Sequence, residues 1–384
     1  MPVPPLKQQF ATLIAAPSVS CTRPDLDQSN QPVIDALAGW LADLGFRCET
    51  REVSPGKFNL LARYGSGPGG LVLAGHSDTV PFDAGRWQGD PLRLREADNR
   101  WYGLGSCDMK GFFPLVIEAV RPLLGQPFRQ PLLVLVTCDE ESSMSGARAL
   151  AAAGQPLGRA AVIGEPTGLR PVRLHKGVMM ERIEITGQSG HSSDPALGRS
   201  ALEGMHAVIG ELLQLRQQWQ QQYCNPLFSV PQPTLNLGCI HGGDNPNRIC
   251  ARCALEFDLR PLPGMAAAAL RDCIRQRLDR VAEEQQLAIE FRPLFPEVPP
   301  FEQPAASELV RLAEQLCGHE AGAVAFGTEA PYLQALGCET LVLGPGDIAC
   351  AHQPDEYLAL DRIEPTLHLL RQLIRYYCLT PLHR

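Results

Sequence analysis

Apolar residues along this chain recur in distinct patterns. Leu6 to Ala15 and Gln31 to Leu44 place them at helical spacing, with Asp27 or Ser29 set to cap the second stretch and Gly45 to end it. Phe58 to Tyr64, Leu71 to Ala74, Pro131 to Glu141, Ala160 to Thr167 and Thr340 to Gly346 read as strands instead. Most of these are short unbroken apolar runs, as in strands buried on both faces. Phe112 to Leu124 is helix-like, and Trp87 to Tyr102 reads as strand and loop. Apolar strands separated by helical stretches predict an α/β domain, a mostly parallel mixed sheet covered by helices.

The middle of the chain has a different rhythm. Met180 to Gly187 alternates like a half-buried strand. Ser200 to Trp219 and Met265 to Glu284 are helical, while Thr234 to Ile240, Ile249 to Leu259 and Leu287 to Pro293 are strands. The order β-α-β-β-α-β predicts a ferredoxin-like α+β domain. Residues 179–292 are therefore expected as an insertion into an α/β domain made of residues 1–178 and 293–384. The proline-rich stretch Pro296 to Pro304 is a connector.

Composition narrows the function classes. The 384 residues are 45% hydrophobic and 20% charged, ordinary for a globular chain of about two domains. A net charge of −8 argues against a nucleic-acid partner, which needs clustered Lys and Arg. The apolar runs are strand-sized, so no membrane span is expected. The start, MPVPPLKQQF, lacks the apolar core of a secretory signal, which points to the cytoplasm. Thirteen cysteines are scattered, and without an export signal they are not expected to form a disulfide framework. Cys250 and Cys253 form a lone C-x-x-C inside a strand pattern and read as packing residues. Cys107, beside Asp108, receives no role.

The chemistry lies where the apolar strands stop. In LVLAGHSDTVP, His76 and Asp78 occupy alternate positions and leave a strand end on the same side. A bland alternative is a polar turn closed by Pro81. A metal pair also fits, with the imidazole binding the ion and a carboxylate fixing its tautomer. PLLVLVTCDEE ends in Glu140 and Glu141, AAVIGEPT carries Glu165, and His352 follows TLVLGPG. The loop GLGSCDMKG delivers Asp108. Its glycines could cradle a phosphate, but it is no Walker motif and lacks the third glycine of a dinucleotide fingerprint. Two imidazoles and this many carboxylates sit together only if cations offset their repulsion. Histidine with carboxylate and no cysteine cluster favours zinc, with cobalt or manganese as substitutes. Two ions sharing one bridging acid need five ligands, which leaves Asp78 as an orienter and one spare glutamate. Glu140 and Glu141 are adjacent and diverge, so one can bind metal while the other faces substrate. The sequence thus supports metal-assisted hydrolysis without naming the bond.

GHSDTVP, GSCDMKG, DEE, GEPT, GHSSDP and AHQPDEY, in this order and spacing, resemble the zinc-dependent amidohydrolase and peptidase family over essentially the whole chain. That family includes succinyl-diaminopimelate desuccinylase, aminoacylases and carboxypeptidase G. YGLGSCDMKGF, VIGEPT, QSGHSSDPA, NLGCIHGGD and TLVLGPG look most similar to its branch that acts on N2-acetyl-L-ornithine. The resemblance implies two zinc ions, one on His76, Asp108 and Glu165, the other on Asp108, Glu141 and His352. It implies that Asp78 orients His76, that Glu140 is the general acid and base, and that the bond after Asp108 is cis. His191 is expected to reach the partner subunit's site and support an oxyanion, which makes a homodimer through residues 179–292 functional. By itself GHSSDP also reads as a helix-start turn capped by Ser193 or Asp194.

Asn247 and Arg260 match family positions that hold the substrate carboxylate, although Arg260 alone also reads as a surface salt bridge. Glu329, in the GTEAP loop, is expected to face the substrate; loop hydrogen bonding is the alternative. His175 and Lys176 read as hinge residues, and His241 as a possible cleft-lining residue. His206, His319, His368 and His383 read as helix-face or terminal residues. The implied reaction is deacetylation of N2-acetyl-L-ornithine to L-ornithine and acetate, a step of arginine biosynthesis. Alternatives are a related deacylase for succinyl-diaminopimelate, acetylcitrulline or other N-acyl amino acids, or a catalytically silent metal-binding dimer.

Overall fold

The computed structural model describes residues 2–380, so His383 lies outside the described residues. The chain divides into two compact units. The first holds the residues up to Arg173, Gln303–Gly322 and the residues from Thr328 on; the second holds Leu174–Glu302 and Ala323–Gly327.

In the first unit, strands lie in the order Arg47–Ser54, Lys57–Tyr64, Leu132–Thr137, Leu71–His76, Ala160–Pro166 and Glu339–Gly344. The last four are mutually parallel, and the first two join antiparallel at the edge. Side chains alternate between faces along each strand. Leu71, Leu73, Val134, Val162 and Leu341 enter one core with Phe10, Ile34, Leu37, Phe113, Val116 and Leu370. Val72, Leu133, Leu135 and Ile163 point the other way and are equally buried. Helices Ser145–Ala153 and Ala330–Ala335, whose Ala147, Leu150 and Leu333 are buried outside that core, also contact the sheet. The mostly parallel, helix-covered sheet expected from the apolar runs is present.

Two local features differ from the expectation. Arg47–Ser54, with sequence RCETREVS, is an edge strand without a buried position, so no apolar period announces it. Helix Gln31–Asp43 has Asn30 rather than Asp27 or Ser29 at its cap position, although Ser29 Oγ does accept from the Gln31 N–H at 3.1 Å. The Asn30 side chain instead ties Phe58 and Ser77 to the helix start, while Asp27 is drawn to the Lys57 ammonium, 2.7 Å away.

The second unit is a four-stranded antiparallel sheet in the order Thr234–Gly242, Arg252–Arg260, Met179–Thr186 and Ala288–Pro293. Helices Ala201–Gln222 and Ala267–Gln285 pack one face, around Ile183, Ile185, Met205, Leu255, Phe257 and Ile274. This is the ferredoxin-like arrangement. Its first helix is capped by Ser200, whose hydroxyl accepts from the Glu203 N–H at 3.3 Å. Among the described residues every cysteine is free, and no helix is long and apolar enough to cross a membrane.

Candidate metal centre

Leu71–His76 and Leu132–Thr137 run parallel in register, His76 beside Thr137. Ala160–Pro166 runs parallel on the other side of Leu71–His76. Their polar ends therefore emerge at one edge of the sheet, where α/β proteins build sites. Glycine permits the approach at one point: a Cβ at Gly164 would stand 2.2 Å from the Phe112 ring. The loop before helix Phe112–Val120 brings in Asp108, followed by a cis peptide bond.

Asp108 faces both histidines. Its Oδ1 lies 3.2 Å from His76 Nε2 and its Oδ2 lies 3.3 Å from His352 Nε2. Glu165 Oε1 is 3.8 Å from His76 Nε2, and Glu141 Oε1 is 3.0 Å from His352 Nε2. His76, Asp108 and Glu141 each offer an atom to one group, and His76, Glu140 and Glu165 to another, all within 4.8 Å of one another. The sequence-predicted ligands His76, Asp108, Glu141, Glu165 and His352 are thus brought together, with Glu140 among them.

His76 is aimed by its other nitrogen. Nδ1 lies 3.0 Å from the backbone carbonyl of Asp78, whereas the Asp78 carboxylate is 3.8 Å away. That carboxylate accepts instead from the Glu141 N–H at 3.0 Å. Asp78 therefore orients the ring through its main chain, and its side chain fixes the Glu141 turn.

The electrostatics favour a cation. Burial, then the charge of Glu165, pushes the Glu140 carboxyl well above the usual range. Burial, then Asp108, does the same to Glu165 and raises Glu141. Burial opposes charge on His76, yet the Asp108 bond and the Glu165 and Asp78 charges hold its pKa well above normal. Bonds to Asp108 and Glu141 hold His352 up at about 10. Glu165 Oε1 and Asp78 Oδ1 are buried without a hydrogen-bond partner. Crowded acids with an orphaned oxygen, each opposite an imidazole, fit divalent metal ions.

Further polar residues support this edge. Asp139, buried and left-handed at φ 57°, accepts from Ser20 at 2.9 Å and Ser145 at 2.8 Å and pairs with Lys57 at 2.9 Å. Glu356 and Lys110 are buried beside the Asp108 loop; burial moves the first up and the second down, each to about 8. Sequence reading assigned no role to these residues. The available signal was a charge set in an otherwise apolar or glycine-rich stretch, as with Lys57 in KFNLLARY and Lys110 in GSCDMKG.

Glu329 is placed among the residues of this edge. It is only 1% exposed, pushed up to about 7 by burial, with Thr137, His76 and Asp78 as neighbours. Both its carboxylate oxygens are buried. The other candidates belong to the second unit. His191 is exposed, with Nδ1 2.8 Å from Ser193 Oγ, and Asp194 caps the turn Pro195–Leu197. Asn247 is exposed, and its carbonyl accepts from the Ser192 N–H at 3.0 Å. Arg260 is half-buried and donates to Asp258 at 2.8 Å, the salt bridge named as its alternative. His241 lies on an exposed stretch of strand, 3.0 Å from Cys239 Sγ. His175 and Lys176 lie just inside this unit and are both buried.

The sequence profile of peptidase family M20/M25/M40 matches residues 72–376. The chain is 53% identical to an acetylornithine deacetylase from Edwardsiella ictaluri, over 96% of this chain and 97% of the relative. Among solved structures it is similar to a metallo-carboxypeptidase of family M20 from Sulfolobus solfataricus (TM-score 0.75, 15% identity, 98% of this chain and 99% of the other). It is also similar to a dinuclear metal-binding peptidase of that family from Bacillus subtilis (TM-score 0.67, 15% identity, 97% of each chain).

Proposed function

The chain belongs to peptidase family M20/M25/M40, and from that premise we propose that it is an acetylornithine deacetylase, hydrolysing N2-acetyl-L-ornithine to L-ornithine and acetate. The observation that carries the reading is 53% identity, nearly end to end, to a protein of that name. The His/Asp/Glu cluster supplies the chemistry such a reaction needs.

Two divalent ions, zinc with cobalt as a substitute, suit this donor set. His76, Asp108 and Glu165 would hold one, and Asp108, Glu141 and His352 the other. When bound, they supply Lewis acidity to the amide carbonyl and to the attacking water. Glu140 takes the water's proton on its carboxylate and then passes it to the leaving α-amine nitrogen. Its raised pKa suits a group that must both accept and donate near neutral pH. Asp78, through its carbonyl, keeps His76 in the tautomer whose Nε2 is free to bind metal. His191 supports the developing oxyanion in a homodimer built through the inserted unit. Arg260 grips the substrate carboxylate with two parallel hydrogen bonds, and Asn247 is a second group for that carboxylate.

The test is a hydrolysis panel with the zinc-loaded protein. It compares N2-acetyl-L-ornithine, N2-acetyl-L-citrulline, N-succinyl-diaminopimelate and other N-acetyl amino acids by kcat/KM. Acetylornithine should lead; another substrate in first place overturns the assignment.

A further inference from the structure

Glu356 holds the Asp108 loop at four points. Its Oε1 accepts from the Cys107 N–H at 2.8 Å and from the Asp108 N–H at 2.9 Å. Its backbone carbonyl accepts from the Gly103 N–H at 3.0 Å and from the Ser106 hydroxyl at 3.4 Å. The residue is 2% exposed, so these bonds form away from competing water. The next residue extends the seam: Tyr357 pairs antiparallel with Tyr102, directly before Gly103. Lys110, fully buried, closes the loop from its other end by donating to the Ala16 carbonyl at 3.0 Å.

The same segment that carries Glu356 also carries His352, four residues earlier, turned by left-handed residues at His352 and Asp355. Asp108 must direct one oxygen to each histidine, 3.2 Å to His76 and 3.3 Å to His352. An error in the height or tilt of its backbone displaces both oxygens together. Glu356 fixes that backbone directly, on the segment that supplies the second imidazole.

We infer that Glu356 is a positioning residue for the metal bridge, setting Asp108 against both histidines by the reach of its side chain. The inference rests on the reading of Asp108 as a ligand shared by two ions. It assigns Glu356 no contact with metal or substrate.

The experiment compares Glu356→Asp and Glu356→Gln with the wild-type holoenzyme. Zinc affinity is measured by competition with a chromophoric chelator, and the visible spectrum of the cobalt-loaded protein reports ligand geometry. Glu356→Asp keeps the charge but is one methylene too short for both N–H groups. It should bind zinc about 10- to 100-fold more weakly and shift the cobalt bands. Glu356→Gln keeps the length and an acceptor oxygen and should stay near wild type in both. The inference stands if the Asp variant is weaker than the Gln variant by about tenfold or more, and falls otherwise. Amide exchange in the metal-free wild-type protein gives a check that needs no variant. The Cys107 and Asp108 amides should be strongly protected, and rapid exchange there also overturns the inference. A wild-type protein that binds no zinc refutes the metal reading itself, before any variant is compared.

Discussion

Lys57 and Asp139 form a buried ion pair, 2.9 Å from Nζ to Oδ1, directly before the acids at Glu140 and Glu141. Asp139 adopts a left-handed backbone there, directly before Glu140, which joins His76 and Glu165, and Glu141, which joins His76 and Asp108. Lys57→Met leaves the Asp139 carboxylate buried with only hydroxyl donors. We expect a loss of about 3 kcal/mol in unfolding free energy, read from urea midpoints. Adding Asp139→Asn, which tolerates the same backbone, removes the stranded charge and should restore most of that loss. A double variant as unstable as the single one sinks the ion-pair account.

Glu140→Gln removes the proton acceptor and keeps the shape. The variant should retain wild-type zinc content and circular dichroism while kcat falls by at least about 10²-fold. Mixing it with His191→Ala subunits separates the two roles. If His191 acts across the dimer, each mixed dimer regains one working site, and activity rises above that of either variant alone. No recovery, with subunit exchange verified, counts against the shared site.

Much of this centre was legible because its ligands sit at the ends of unbroken apolar strands. His76, Glu140, Glu141 and Glu165 could be placed together from the sheet alone. What escaped was whatever pairs residues distant in sequence. Glu356 meets Asp108 across 248 positions, and Asp139 meets Ser20 across 119. Neither partner carries a periodic signal. The edge strand Arg47–Ser54 escaped for a related reason: an edge buries no alternating face and can consist of charges.

Metal removal should loosen the edge of the sheet. Without cations, Glu140 and Glu165 crowd in one group with His76, and Asp108 and Glu141 in another, and burial and neighbouring acids raise Glu140, Glu141 and Glu165 against the pull of the histidines. Zinc at about 100 times its dissociation constant stabilises the folded protein by about 2.7 kcal/mol per site. Dialysis against a chelator should therefore lower Tm by several degrees, and zinc should restore it. An unchanged Tm in a protein verified to lose two ions rejects the view that cations relieve this repulsion.

A separate pH dependence belongs to His175, in the second unit. The imidazole is fully buried, with Nδ1 2.8 Å from the Lys176 carbonyl and its ring 5.3 Å from that of Phe301. Burial pushes its pKa down to about 4 from an ordinary 6.5. The folded state thus favours the neutral ring more than the unfolded chain does. Its contribution is complete above about pH 6.5 and is lost as pH falls toward 4, by about 3 kcal/mol in all. His175→Asn keeps a donor for the Lys176 carbonyl and cannot titrate. Urea midpoints for unfolding should fall more steeply between pH 6.5 and 4.5 in the wild-type protein than in the variant. Parallel curves for the two proteins would show that His175 titrates alike in the folded and unfolded states.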